Sequence, residues 1–257
     1  PLLTYRDSLI VPTRADPPIG APIILSPRKT KVLTAQPTLR WMAAGSTNIY
    51  DVSIRGGNLS WTTRVNGATE IVYPADAPAL QPGASYKLVV STGGRSSDEE
   101  TEPGLGFTML KADEAQAVLA ALERIRSLGL AEPAQNLLIA NLYASQGLHA
   151  EAIAVLQRLT VAASEPALMR TLGDLYLKVS LIRQAENAYL AAAQLSERVG
   201  DIEGMAASHN TLGLVYETLG NRAEAIAQTS QAIAAYQKLG DAKTVQQMQE
   251  RLASLQK

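Results

Sequence analysis

Cysteine is absent from this chain of 257 residues, which removes disulfides, thiolate metal sites and cysteine nucleophiles together. Histidine is almost absent as well. The two that occur, His149 and His209, lack the His-Glu spacing that builds a zinc site. One falls at a predicted hairpin corner and the other at a helix-packing position, so neither is placed as a catalytic base. An excess of either charge is missing too. Lys and Arg number 23 against 24 Asp and Glu, for a formal net charge of -1, so no overall field draws the chain to nucleic acid or anionic lipid. No apolar run approaches the roughly 20 residues that span a bilayer. The Gly-rich stretches Ser91 to Arg95 and Pro103 to Phe107 lack the Gly-Lys-Ser/Thr ending of a phosphate cradle. The expectation is a noncatalytic protein with no metal and no cofactor, no transmembrane segment and no nucleic-acid partner.

The length favours two domains, since domains run to roughly 100 to 150 residues, and the apolar pattern has two periods. Residues 1–21 hold Pro1, Pro12, Pro17 and Pro18 with no sustained periodicity and read as an extended tail. Over 22–110 short alternating runs follow. Leu39 and Trp41, then Tyr50, Val52 and Ile54, Leu59 and Trp61, Ile71 and Tyr73, and Tyr86, Leu88 and Val90 each make one apolar face. Gly56-Gly57, Asn66-Gly67 and Gly93-Gly94 supply turns between them. About seven strands of this kind fit an all-β sandwich of two sheets. An acidic run, Asp98, Glu99, Glu100 and Glu102, reads as a solvated hairpin tip without calcium-loop spacing. A basic cluster, Arg28, Lys29 and Lys31, reads as protection of an edge strand.

The segment Leu80-Gln81-Pro82-Gly83-Ala84-Ser85-Tyr86, with Val90, Trp41 and Tyr50, resembles the fibronectin type III pattern, in which a Leu-x-Pro-Gly corner precedes a strand whose Tyr closes it. The resemblance spans 22–110 and implies a spacer or adhesion module without chemistry.

Beyond Lys111 apolar residues recur three and four apart. Ala115, Val118, Leu119, Leu122 and Ile125 make a stripe ending before Gly129, which predicts a cap helix over 113–128. Then a unit repeats. Leu172-Gly173 with Tyr176, Ala185, Tyr189 and Ala192 is echoed by Leu212-Gly213 with Tyr216, Gly220, Ala225 and Ala232, and by a diverged copy from Ile139-Ala140 with Tyr143, Gly147, Ala152 and Leu156. The spacing is 33 residues from Ile139 to Leu172 and 40 from Leu172 to Leu212. Fixed-period units of this length stack because none buries its apolar face alone. The array resembles the tetratricopeptide family, whose unit is two antiparallel helices with Leu-Gly and an aromatic on the first and two Ala around an aromatic on the second. About three repeats over 133–241 and a capping helix over 242–256 complete a helical domain at 111–257. Ser180 stands where Gly is usual, Thr229 where a large residue is usual and His209 where an aromatic is usual, which predicts looser packing in the third unit.

The tetratricopeptide resemblance implies a concave groove for a protein or peptide partner, and maps its contact positions onto Asn141, Arg170, Asp174, Lys178, Asn210 and Glu217, with Leu137, Leu177 and Leu214 as apolar anchors. Leu137 stands where the family's carboxylate clamp needs Lys beside Asn141, so binding of a chaperone tail is not implied. A sandwich followed by repeats also resembles predicted exported proteins of cyanobacteria, which implies a periplasmic or envelope location, with the cytoplasm as the alternative. A rival reading is a carbohydrate- or wall-binding accessory protein that stacks sugars on an exposed Trp61 while the repeats recruit an enzyme. The exposure of Trp61 separates the two.

Overall fold

The computed structural model describes residues 20–44, 48–162 and 165–257; the tail expected over 1–21 lies outside them as far as residue 19. The last strand ends at Met109 and the first helix starts at Ala112. Packing divides the chain into two compact units, Asp16–Leu156 and Gln157–Lys257.

Among the described residues the first unit opens with nine strands: β1 (Ile23–Ser26), β2 (Thr30–Val32), β3 (Thr38–Met42), β4 (Ile49–Gly56), β5 (Leu59–Asn66), β6 (Glu70–Val72), β7 (Ser85–Thr92), β8 (Arg95–Ser96) and β9 (Phe107–Met109). They make two sheets, one ordered β1-β3-β6 and the other β2-β9-β7-β4-β5, with β8 paired to β7. The pairs are antiparallel except β2 with β9, which runs parallel. Alternation sets the faces: Tyr50, Val52 and Ile54 of β4 are buried while Asp51 and Arg55 stay in water. Leu39 and Trp41 from one sheet and Tyr50, Val52, Ile54, Leu88, Val90 and Phe107 from the other join a single core. Gly56 pairs with Leu59, so Gly57-Asn58 is a two-residue hairpin turn. Both turn residues have positive φ, as the twist of such a hairpin requires. The Tyr86 hydroxyl accepts the Gln81 N–H at 2.7 Å and closes the corner before β7.

Two sequence expectations are corrected in part. Glu100 and Glu102 of the acidic run pair with Arg28 and Lys29 of the basic cluster, whereas Asp98 and Glu99 stay exposed and Lys31 pairs with Glu114. Arg28, 1% exposed, forks onto both Glu100 carboxylate oxygens at 2.8 and 2.6 Å, and Lys29 pairs with Glu102. Bidentate geometry is what lets a guanidinium be buried at all. Trp61 is half-buried, its ring edge-on to Tyr73 at a centroid distance of 4.9 Å. Trp41, Tyr50, Tyr73, Tyr86 and Phe107 are all buried, so the described aromatic rings of the strands form no solvent-facing platform.

Helices α1 (Ala112–Ser127), α2 (Glu132–Ser145) and the first half of α3 (His149–Ala162) belong to this unit. Val118 and Leu122 are the buried side of α1, whereas Leu119 of the predicted stripe is exposed. Strand β2 is sewn to the corner between α2 and α3. The Lys31 N–H donates to the Gly147 carbonyl at 2.8 Å. The Thr30 hydroxyl has the Lys31 carbonyl at 2.7 Å and the Gly147 carbonyl at 3.2 Å as acceptors for its one proton, and accepts the Ala150 N–H at 3.2 Å, which satisfies an orphan donor in the first turn of α3. Glu151 accepts the Leu33 N–H at 3.1 Å, and the His149 ring meets the Lys29 carbonyl at 3.0 Å. His149 is thus a joint residue. Burial pushes the Glu151 carboxyl above the usual range, against the pull of its backbone hydrogen bonds.

The second unit is a run of antiparallel helices, with α4 (Pro166–Lys178) and α5 (Ile182–Val199), α6 (Ile202–Thr218) and α7 (Arg222–Lys238), then α8 (Ala242–Leu255). Leu172, Tyr176, Ala185, Tyr189 and Ala192 in one hairpin and Leu212, Tyr216, Ala225 and Ala232 in the next are all buried. Asp201 and Asp241, at the recurring Gly-Asp corners, cap α6 and α8 through Gly204 N–H at 2.8 Å and Thr244 N–H at 3.1 Å. Ser180 takes the left-handed conformation, φ 56°, that its position demands.

Candidate partner-binding face

Asn141 lies half-buried on α2 in the first unit, and the other five candidate residues belong to the second. Arg170, Asp174 and Lys178 sit four residues apart on α4 and share one face of it. Lys178 is exposed. Asp174 is largely enclosed and accepts a hydrogen bond from the Tyr189 hydroxyl. Burial raises its carboxyl above the usual range, while Tyr189, Lys178 and Arg170 oppose that shift. Burial, reinforced by Asp174, pushes the Tyr189 phenol far up, so it stays protonated and donating.

Arg170 is turned toward the corner between α5 and α6. Its Nη1 lies 3.3 Å from Asp201 Oδ2 and 3.4 Å from Ser196 Oγ. Because Asp201 also caps α6, this guanidinium fixes the helix junction, and a Cβ at Gly204 would sit 2.2 Å from it. Glu186 on α5 accepts from the Tyr216 hydroxyl at 2.7 Å and pairs with Arg183 at 3.4 Å. Burial, then Glu186, pushes the Tyr216 phenol up to about 12.

Asn210 and Glu217 converge on a residue that sequence reasoning missed. Arg251 reaches in from α8, donating from Nη2 to Thr229 Oγ1 at 2.7 Å and from Nη1 to Asn210 Oδ1 at 3.2 Å, with Nε 3.6 Å from Glu217 Oε2. Burial pulls this guanidinium below its usual range and Glu217 works against that. The looser packing expected around Thr229 is therefore corrected: Thr229 is 0% exposed, with the arginine filling the space a larger side chain would take. The signal was present as a small residue at 229 facing a glycine at 213, but it named no filler. His209 is half-buried with Nδ1 2.7 Å from Gln228 Oε1, a packing contact. Of the apolar anchors, Leu177 is core at 2% exposure; Leu137 and Leu214 are half-buried.

Among the described residues no group of three or more His, Asp or Glu is placed to hold a metal ion, and no helix is long and apolar enough to cross a membrane. No curated protein matches the chain. Among solved structures, MamA is similar at 21% identity over 56% of this chain and 84% of MamA, with a TM-score of 0.39. BtubC from P. vanneervenii is similar at 16% identity over 56% of this chain and 74% of BtubC, TM-score 0.40. A Podosopora anserina putative kinesin light chain with nearly identical TPR-like repeats is similar at 16% identity over 56% and 89% of the two chains, TM-score 0.36. Residues 206–238, which hold most of α6 and all of α7, match the tetratricopeptide repeat family.

Proposed function

We propose that this chain is a noncatalytic scaffold that holds a peptide or protein partner on the face of its helical repeats. The observation that carries this reading is the tetratricopeptide match over 206–238, on two helices whose Leu212, Tyr216, Ala225 and Ala232 are buried in packing while Glu217 stays exposed. In the second unit that face runs along α4 and α6, with Lys178 as its exposed charge, Asp174 largely enclosed beside it and Arg170 as a positioning residue behind them; Asn141 extends the candidate set on α2. Mixed polar linings of this kind suit extended segments held by hydrogen bonds and ion pairs with a few apolar anchors.

We further propose that the β-rich module at 22–110 is of the fibronectin type III kind and acts as a spacer. Two sheets sharing one core and the Tyr86 corner support this. A periplasmic or envelope location is proposed from the resemblance to exported proteins, and fractionation of the native source checks it.

Affinity capture from a native extract tests the scaffold, comparing wild type with Lys178→Glu on α4 and with Arg198→Glu on α5. A partner lost only with Lys178→Glu supports the repeat face. Equal retention by both variants removes it.

A further inference from the structure

Gly213 and Thr229 occupy in α6/α7 the places that Gly173 and Tyr189 occupy 40 residues earlier in α4/α5. In the earlier hairpin the Tyr189 ring lies directly over Gly173, where an added Cβ would come 2.9 Å from it. In the later hairpin that ring is missing. The space above Gly213 is filled instead by Arg251, whose Nη2 would be 2.3 Å from a Cβ there. What the exchange of Tyr for Thr leaves is a slot with a glycine floor, a buried hydroxyl acceptor on Thr229, an amide acceptor on Asn210 and a carboxylate on Glu217. That set matches a planar guanidinium with donors in a fork, and it does not match the point charge of a lysine.

The helix that delivers Arg251 is thinly seated. Of α8 only Met248 is fully buried, with Val245 and Leu252 partly covered. Fourteen residues is about the length at which a helix is marginal without tertiary support. The fit is also imperfect, since Arg251 Nε is buried with no hydrogen-bond partner.

We propose that this slot is an arginine-acceptor site for an amphipathic helix of a partner, and that Arg251 of α8 is an intramolecular stand-in that keeps it closed until displaced. The incoming helix carries an arginine three residues after a buried apolar one, as Met248 precedes Arg251 here. Its biological use rests on the scaffold reading above, but its chemistry can be tested without any natural partner.

The test measures binding of a labelled synthetic peptide of residues 241–257, and of the same peptide with Arg251→Ala, to the full chain by fluorescence anisotropy. Wild-type chain should bind both peptides weakly, because its own α8 is in place. The Arg251→Ala chain should bind the arginine peptide at least tenfold more tightly than wild type does, with no gain for the alanine peptide. Absence of the gain, or a gain that ignores the peptide's arginine, overturns the proposal. Should Arg251→Ala lose its helical circular dichroism, Arg251→Lys replaces it with the same expected pattern. As a second readout, millimolar ethylguanidinium should raise the melting temperature of the slot-opened variant and leave wild type unmoved; equal effects on both count against the slot. Loss of a partner with Lys178→Glu is independent of these results, so failure of the slot and failure of the repeat face are told apart.

Discussion

Replacing Thr30 by valine keeps the shape of a side chain that is 7% exposed and removes only its hydroxyl. Two interactions go with it, the bond accepted from Ala150 N–H at 3.2 Å and the one proton shared between the Lys31 carbonyl at 2.7 Å and the Gly147 carbonyl at 3.2 Å. The first is a helix cap, and losing one costs about 1 kcal/mol. The second costs less, roughly 0.5 kcal/mol, because the Gly147 carbonyl keeps its shorter bond from Lys31 N–H at 2.8 Å. The sum is about 1–2 kcal/mol, or a fall of roughly 0.5–1 M in the urea midpoint for a slope near 2 kcal/mol/M. Native-state hydrogen exchange supplies the local readout: Ala150 N–H should lose protection by about tenfold, since 1.4 kcal/mol is a factor of ten, while amides in α6 and α7 are unchanged. Thr30→Ser should remain close to wild type. If Thr30→Val leaves both the midpoint and Ala150 protection unchanged, the Thr30 hydroxyl is not what holds the start of α3.

A second expectation concerns Gly173→Ala. The new Cβ would meet the Tyr189 ring at 2.9 Å. That ring is buried and tied by its hydroxyl to Asp174, so overpacking of about 1–3 kcal/mol outweighs the roughly 1 kcal/mol gained from helix propensity. A melting temperature at or above wild type would contradict this. The third is a pH dependence. Glu151 has its folded-state carboxyl raised above 4.5 by burial, so the folded state holds this proton more tightly than the unfolded one. Its contribution is favourable at low pH and is lost as pH rises from the ordinary carboxylate value through the raised one. Glu151→Gln removes that titration, so the stability of the variant relative to wild type should increase from pH 5 to pH 7.5. A gap that does not change with pH refutes the assignment.

Much of the architecture was legible because it rests on periodicity. The alternating faces of Tyr50, Val52 and Ile54 and the recurring Leu-Gly-x-x-Tyr offsets each follow from one local rule, and both are buried as that rule requires. What could not be read were pairings between distant segments. Arg28 and Glu100 stand 72 residues apart, and each cluster on its own reads as an exposed charge run, since nothing local says that the other will fold against it. Thr30 and Ala150 are likewise 120 residues apart, and the composition shift near residue 110 gives no hint of the hydrogen bonds that cross it. At the candidate face, the tetratricopeptide resemblance picked out Arg170, Asp174 and Lys178, which four-residue spacing puts on one side of α4. It could not say that Arg170 would be turned toward Asp201, or that Asn210 and Glu217 would be engaged from α8, because both depend on which charged group arrives from the next helix.

The threonine at 229 also ties the α6/α7 hairpin to the helix that comes after it. With a tyrosine there, as at 189, the ring would lie over Gly213 and the helix that follows would have to present a small residue in the place of Arg251, as α6 presents Thr211 one period earlier. A ring at 229 and an arginine at 251 therefore make competing claims on one space. Giving α6/α7 the tyrosine of α4/α5 would need residues 229 and 251 to change together.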